Sequence, residues 1–154
     1  MTTFETKLSW QKDKQADLKA RDNPLLQVAT PPEFGGPEQT WCPEELFVAS
    51  IESCLMSTFL YFAERFGLSL AAYSSTCKGI LDKTAQGLRF TGVEVRIEVA
   101  WADDESLEKA ASSRLKEKLE QYCPVSASVN CPVSIQMEMR KRAPNGSRVL
   151  GTDG

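Results

Sequence analysis

Residues 43–67 read PEELFVASIESCLMSTFLYFAERFG, and this stretch decides the fold. Pro43 suits the first position of a helix, and Glu44 and Glu45 suit the positive end of its dipole. Gly67 reads as the stop. Between them apolar residues run almost all the way round, which predicts a helix buried on most sides. A membrane span is the competing reading. Ser50, Glu52, Ser53, Ser57 and Thr58 interrupt the run, which favours a core helix instead.

Working outward, the N-terminal flank alternates. Phe4, Thr6, Leu8 and Trp10 share one side of a predicted strand, and "QKDK" (11–14) is the turn after it. Ala16, Leu18 and Ala20 mark a second strand, "RDNP" (21–24) another turn, and Leu25–Ala29 a short third strand. "TPPEFGGPEQTWC" (30–42) then reads as an ordered loop or a linker. On the C-terminal flank, Tyr73–Leu81 is one strand. A second runs to Trp101 after the turn "DKTAQG" (82–87). In it Val93, Val95, Ile97, Val99 and Trp101 alternate with Glu94, Arg96 and Glu98, so one face is buried and one wet. "ADDES" (102–106) caps a second helix whose Leu107, Ala111, Leu115 and Leu119 recur every fourth residue. A last strand follows, with Val133, Ile135, Met137 and Met139 on one side. The order β-β-β-α-β-β-α-β defines an α+β domain with mainly antiparallel sheet packed on a long buried helix. A single domain is expected over 1–141 and a disordered tail over 142–154.

Composition narrows the chemistry. The chain has 154 residues, a net charge of -3 and no histidine. Its acidic balance argues against nucleic acid or an anionic membrane as partner. Without histidine, Ser-His-Asp and Cys-His catalysis within one chain and His-ligated metal are excluded. The chain contains five cysteines and lacks a signal-peptide pattern at its start, so a reducing cytoplasm is expected.

On the residues alone, Cys54 has two readings: a small core hydrophobe, or a thiol on a polar stripe with Ser50, Ser57 and Thr58. Glu44 lies ten residues earlier, within about 80° of the same helical direction. "CPVSASVNCPVS" (123–134) prints Cys-Pro-Val-Ser twice. Pro124 is pre-organised for a helical turn, which would put Cys123 at its N-cap beside free N–H groups that favour a thiolate. Helix termination with an incidental cysteine is the alternative. Cys131 and Cys77 follow the parity of core positions, while Cys42 sits in a loop and reads as exposed and oxidisable. A four-thiolate metal site from Cys42, Cys54, Cys123 and Cys131 lacks the close C-x2-C spacing.

Three pieces together, "PPEFGGPEQTWCPEELFVASIESC" (31–54), "GLRFTGVEVRIEVAW" (87–101) and "CPVSASV" (123–129), resemble the OsmC/Ohr family of thiol-dependent hydroperoxide peroxidases. The pieces occur in family order, and the likeness spans about Leu8 to Arg140. It implies an OsmC-like fold, an intertwined homodimer with the two long helices buried between sheets from both chains. It also implies that Cys54 attacks an organic hydroperoxide as thiolate and becomes a sulfenic acid. Cys123 then condenses with it to a disulfide, and an external dithiol regenerates the pair. Glu44 matches the family's orienting glutamate. The family supplies an arginine from the first turn, but here that turn reads "QKDK", with Lys12 and Lys14 standing nearest its place. Lysine does not reproduce a bidentate clamp on a carboxylate. Glu52, two residues before Cys54, adds a carboxylate that would oppose thiol ionisation. The enzyme reading therefore carries a rival: an OsmC-fold protein without efficient peroxidase chemistry that binds a small apolar ligand in the dimer cleft. No cofactor or metal is expected in either case.

Overall fold

The structure, a computed structural model, describes residues 1–144. The expected tail disorder falls, from residue 145 onward, outside the described residues. The chain divides into two compact units, Met1–Ser50 and the remainder from Ile51.

The first unit is a three-stranded antiparallel sheet in the order β1 (Lys7–Lys12), β2 (Gln15–Lys19), β3 (Leu26–Ala29). The alternation read in β1 is present, but the strand buries neither side. Leu8 and Trp10 are 64% and 69% exposed. Burial concentrates instead on Val28 and Ala29 in β3 and on Cys42. The Pro- and Gly-rich loop is ordered. A single 3-10 turn spans Pro32–Phe34, and Gly35 takes a left-handed φ of 81° behind it. At Gly36 an added Cβ would lie 1.5 Å from the Thr30 carbonyl oxygen, so only glycine fits. Lys14 closes the loop by donating from Nζ to the Phe34 carbonyl at 2.6 Å.

Helix α1 (Pro43–Arg65) begins in the first unit and supplies the core of the second. It is long and apolar enough to cross a membrane by length and composition. It buries one stripe, Ile51, Leu55, Phe59, Phe62 and Ala63, spaced at three and four residues. Met56, Leu60 and Tyr61 remain exposed, so a single chain does not bury the helix on most sides. The stripe meets a sheet ordered β4 (Leu70–Thr84), β5 (Gly87–Trp101), β6 (Val133–Lys141). Phe59 stacks on Trp101 with centroids 5.6 Å apart and tilts against Tyr73 at 5.0 Å. The inward residues of β5 are buried as their alternation predicts, while Arg96 on the wet face pairs with Glu138 of β6 at 2.8 Å. β4 and β5 form a long antiparallel hairpin, but β6 runs parallel to β5. The helical segment between them carries the chain back to the starting end of β5, which a parallel pairing requires.

That segment differs from its sequence reading. It is α2 (Asp104–Ser112) and α3 (Leu115–Tyr122), broken at Ser113–Arg114, where Arg114 adopts a positive φ of 55°. The break resets the buried face to Ser106, Ala110, Leu115 and Leu119, and the predicted Ala111 is exposed. Asp103 caps α2 by accepting from the Ser106 N–H at 2.7 Å, and the Ser106 hydroxyl in turn accepts from the Ser69 N–H at 2.9 Å. A short turn, α4 (Pro124–Ala127), follows directly.

Candidate functional site

Cys54 lies on α1 and points into a cavity of about 620 Å³ within the second unit. The wall comprises Cys54, Ser57, Thr58, Tyr61, Phe62 and Arg65 of α1, with Tyr122 and Pro124 opposite. The polar stripe read on α1 therefore faces a cavity at Ser57 and Thr58. Cys123 sits where two elements meet. It closes α3 and is the N-cap of α4, the position that Pro124 implied. Its side chain is fully buried, at 0% exposure, behind the cavity wall.

The two thiols are close enough to act on one another, although Cys54 and Cys123 lie far apart in sequence and both are free. Burial pushes the Cys54 thiol up, and the neighbouring Cys123 adds to that effect. The Val125 N–H acts the other way, as does the neighbouring Thr58 hydroxyl, which donates to the Cys54 carbonyl oxygen at 2.9 Å. No cation is among the groups that act most strongly on this thiol. Glu52 is absent from them as well. It faces β4, where its Oε1 accepts from the Ser75 hydroxyl at 2.6 Å. Two residues along a helix turn a side chain by about 200°, which takes Glu52 off the Cys54 face. The expectation that Glu52 opposes Cys54 is corrected accordingly.

The remaining cysteines differ in setting. Cys42 is buried, not exposed, and burial pushes its thiol up beside Glu45 and Glu44. Cys77 and Cys131 are half-buried in this chain. Burial, reinforced by the Glu52 carboxylate, pushes Cys77 up to about 11. Tyr73, on the same side of β4, is pushed by burial up to about 12. Its hydroxyl lies beside Ser75 yet lacks a well-formed hydrogen bond, since Ser75 donates to Glu52. Glu44 occupies the first turn of α1, and its Oε2 is buried with no hydrogen-bond partner among the described residues. Lys14 is held by the Phe34 carbonyl, as described above. Arg65 is the residue that the sequence reading passed over. Its signal was its place eleven residues after Cys54, three turns down the same helix face.

Residues 36–138 match the OsmC-like protein family, and the chain belongs to that family. Protein YmaD of Bacillus subtilis (strain 168) is 25% identical over 117 residues, covering 75% of this chain and 78% of its own length. An OsmC-like protein from Vibrio cholerae superposes with a TM-score of 0.80 at 20% identity, over 90% of this chain and all of that one. An organic hydroperoxide resistance protein from Legionella pneumophila gives a TM-score of 0.67 at 23% identity, over 92% of this chain and 98% of that one. OhrB of Bacillus subtilis gives 0.62 at 18% identity, over 90% and 98%. At these identities the structural likeness concerns the fold: mixed α+β, with sheets around a long helix.

Proposed function

We propose that this protein is a cysteine-dependent peroxidase that reduces organic hydroperoxides, with Cys54 peroxidatic and Cys123 resolving. One observation carries the reading: the two thiols are neighbours, but only Cys54 reaches the cavity. A peroxide entering it meets Cys54 first. The Cys54 thiolate attacks one peroxide oxygen, the O–O bond breaks, and the alkoxide leaves as the alcohol after taking a proton. Cys54 is then a sulfenic acid. The Cys123 thiol displaces its hydroxyl as water, forming the disulfide and stopping oxidation at the first rung. An external dithiol reduces the disulfide and leaves as its own disulfide. Val125 N–H and the Thr58 hydroxyl stabilise the thiolate. Glu44 keeps the orienting role that the family resemblance implies, supported by its buried oxygen without a partner. The active form is a homodimer, and five free thiols suit a reducing cytoplasm.

The test uses the reduced protein with cumene hydroperoxide and mass spectrometry. The expected result is loss of two thiols and an intramolecular Cys54–Cys123 disulfide, with consumption abolished in Cys54→Ser. Absence of that disulfide together with unchanged consumption in Cys54→Ser would overturn the reading. The rival, a binding protein for a small apolar ligand, is favoured by the raised Cys54 thiol with no cation among its strongest influences. Under it, the cavity retains ligand while the thiols survive peroxide.

A further inference from the structure

Cys54 and Cys123 are neighbours that differ in access. Cys54 is half-buried and forms part of the cavity wall, while Cys123 is fully buried behind it. The difference is built into the backbone. The Cys123 N–H donates to the Leu119 carbonyl at 3.1 Å. The Cys123 carbonyl accepts from the Ala127 N–H at 3.1 Å and from the Ser126 hydroxyl at 3.2 Å. Bringing Cys123 to the surface therefore means opening the end of α3 together with α4. Leu115 and Leu119 of α3 are buried as well, so that opening exposes core. Cys54 needs no such movement, because α1 already presents it to the cavity. The burial of Cys123 comes from its own chain, so a partner subunit cannot restore access to it.

This asymmetry bears on the step that closes the cycle. In thiol–disulfide exchange the attacking thiolate approaches one sulfur from the side opposite its bond to the other, and access helps to decide which sulfur is attacked. At Cys54 the side opposite a bond to Cys123 opens on the cavity, because Cys123 lies behind the wall. At Cys123 the corresponding side lies within the protein interior.

We propose that Cys54 has a second role, as the sulfur attacked when the disulfide of the peroxidase reading, on which this role rests, is reduced. Cys123 is the leaving group. One thiolate of the external dithiol bonds to Cys54 Sγ. The Cys54–Cys123 bond breaks, and its electron pair leaves on Cys123, which takes a proton from water. The second thiolate of the dithiol then attacks its own linked sulfur and expels Cys54 as thiolate. The dithiol is oxidised by two electrons and the cysteine pair is reduced by two. Peroxide and reductant thus both meet the protein at Cys54, and Cys123 stays buried throughout.

Mercaptoethanol tests this on the wild-type chain, because its single thiol halts at the mixed disulfide until a second molecule attacks. The Cys54–Cys123 disulfide is prepared with diamide as well as with cumene hydroperoxide. Exchange is stopped with acid at successive times, and the adduct is mapped by mass spectrometry. The earliest adduct is expected on Cys54, at least about tenfold above Cys123. An earliest adduct on Cys123, an even split, or failure of diamide to form the disulfide overturns the proposal. A second measurement removes the partner thiol, with circular dichroism as the folding control. In reduced Cys123→Ser, Cys54 is expected to exchange readily with dithiobis(nitrobenzoate). In reduced Cys54→Ser, Cys123 is expected to react at least about tenfold more slowly and to accelerate in urea, as opening exposes it. Equal rates in the two folded variants overturn the proposal. If diamide forms the disulfide and peroxide does not, the peroxidase reading falls, and the position of the mercaptoethanol adduct still decides which sulfur is attacked.

Discussion

At Cys54 two effects oppose each other. Burial and the adjacent Cys123 thiol hold the proton on, while the Val125 N–H and the nearby Thr58 hydroxyl favour its release. The thiol lies above its ordinary value of 9.0, so burial wins. The reactive species is the thiolate, whose fraction grows tenfold per pH unit below the pKa. Single-turnover oxidation by cumene hydroperoxide is therefore expected to accelerate continuously from pH 6 to 9. A plateau below pH 8 would show a thiol activated by some other group. In Cys123→Ser, Cys54 still reacts but lacks a thiol to condense with, so dimedone traps one sulfenic acid and excess peroxide drives it to sulfinic acid. Cys77 and Tyr73 carry a separate pH effect. Both are acids whose folded pKa exceeds the ordinary value, 9.0 to about 11 for Cys77 and 10.0 to about 12 for Tyr73. Their contribution to stability is complete below the unfolded values and is lost as pH rises toward the folded ones. Thermal melts should fall between pH 9 and 12, and Cys77→Ala should remove the earlier part of that decline.

At the scale of elements, α1 holds the second unit together through its buried stripe. Phe59 is fully buried between Trp101 and Tyr73. Phe59→Ala is expected to cost about 3–5 kcal/mol, read from denaturant midpoints. At α2 the cap matters more than propensity, because Asp103 fixes Ser106, and Ser106 holds the backbone of Ser69. Asp103→Ala should lower the denaturant midpoint. Its folded carboxyl lies below the usual carboxylate range, so the cap's contribution fades on acidification. Element positions were legible because alternation and helical spacing are local consequences of burial: β5 and α1 show this directly. The α2–α3 break was not. An arginine in a left-handed conformation has no turn signature, so the every-fourth-residue pattern ran through it. Nor was the parallel pairing of β6, since strand direction follows from where the preceding helices end.

At the scale of the whole molecule, large apolar side chains are left open in each unit: Leu8 and Trp10 in the first, Met56, Leu60 and Tyr61 in the second. Such surfaces mark interaction sites. A homodimer is the expected occupant, with sedimentation velocity at micromolar concentration giving one species near twice the 17.1 kDa chain mass. Leu60→Glu, an exposed substitution on α1, should shift that species toward monomer, and an unchanged dimer would place the interface elsewhere. The sequence by itself determined the long helix, the strand alternation and the two cysteines set in family-matching segments, because these depend on near neighbours along the chain. Only the tertiary structure decided that the Cys54 and Cys123 thiols are neighbours, that Glu52 meets Ser75 of β4, and that a cavity opens along the helix face that Cys54 and Arg65 share. Each of those depends on which faces of distant segments are brought together when the apolar stripe of α1 is buried against the sheet, whereas spacing along α1 records only which of its residues share a face.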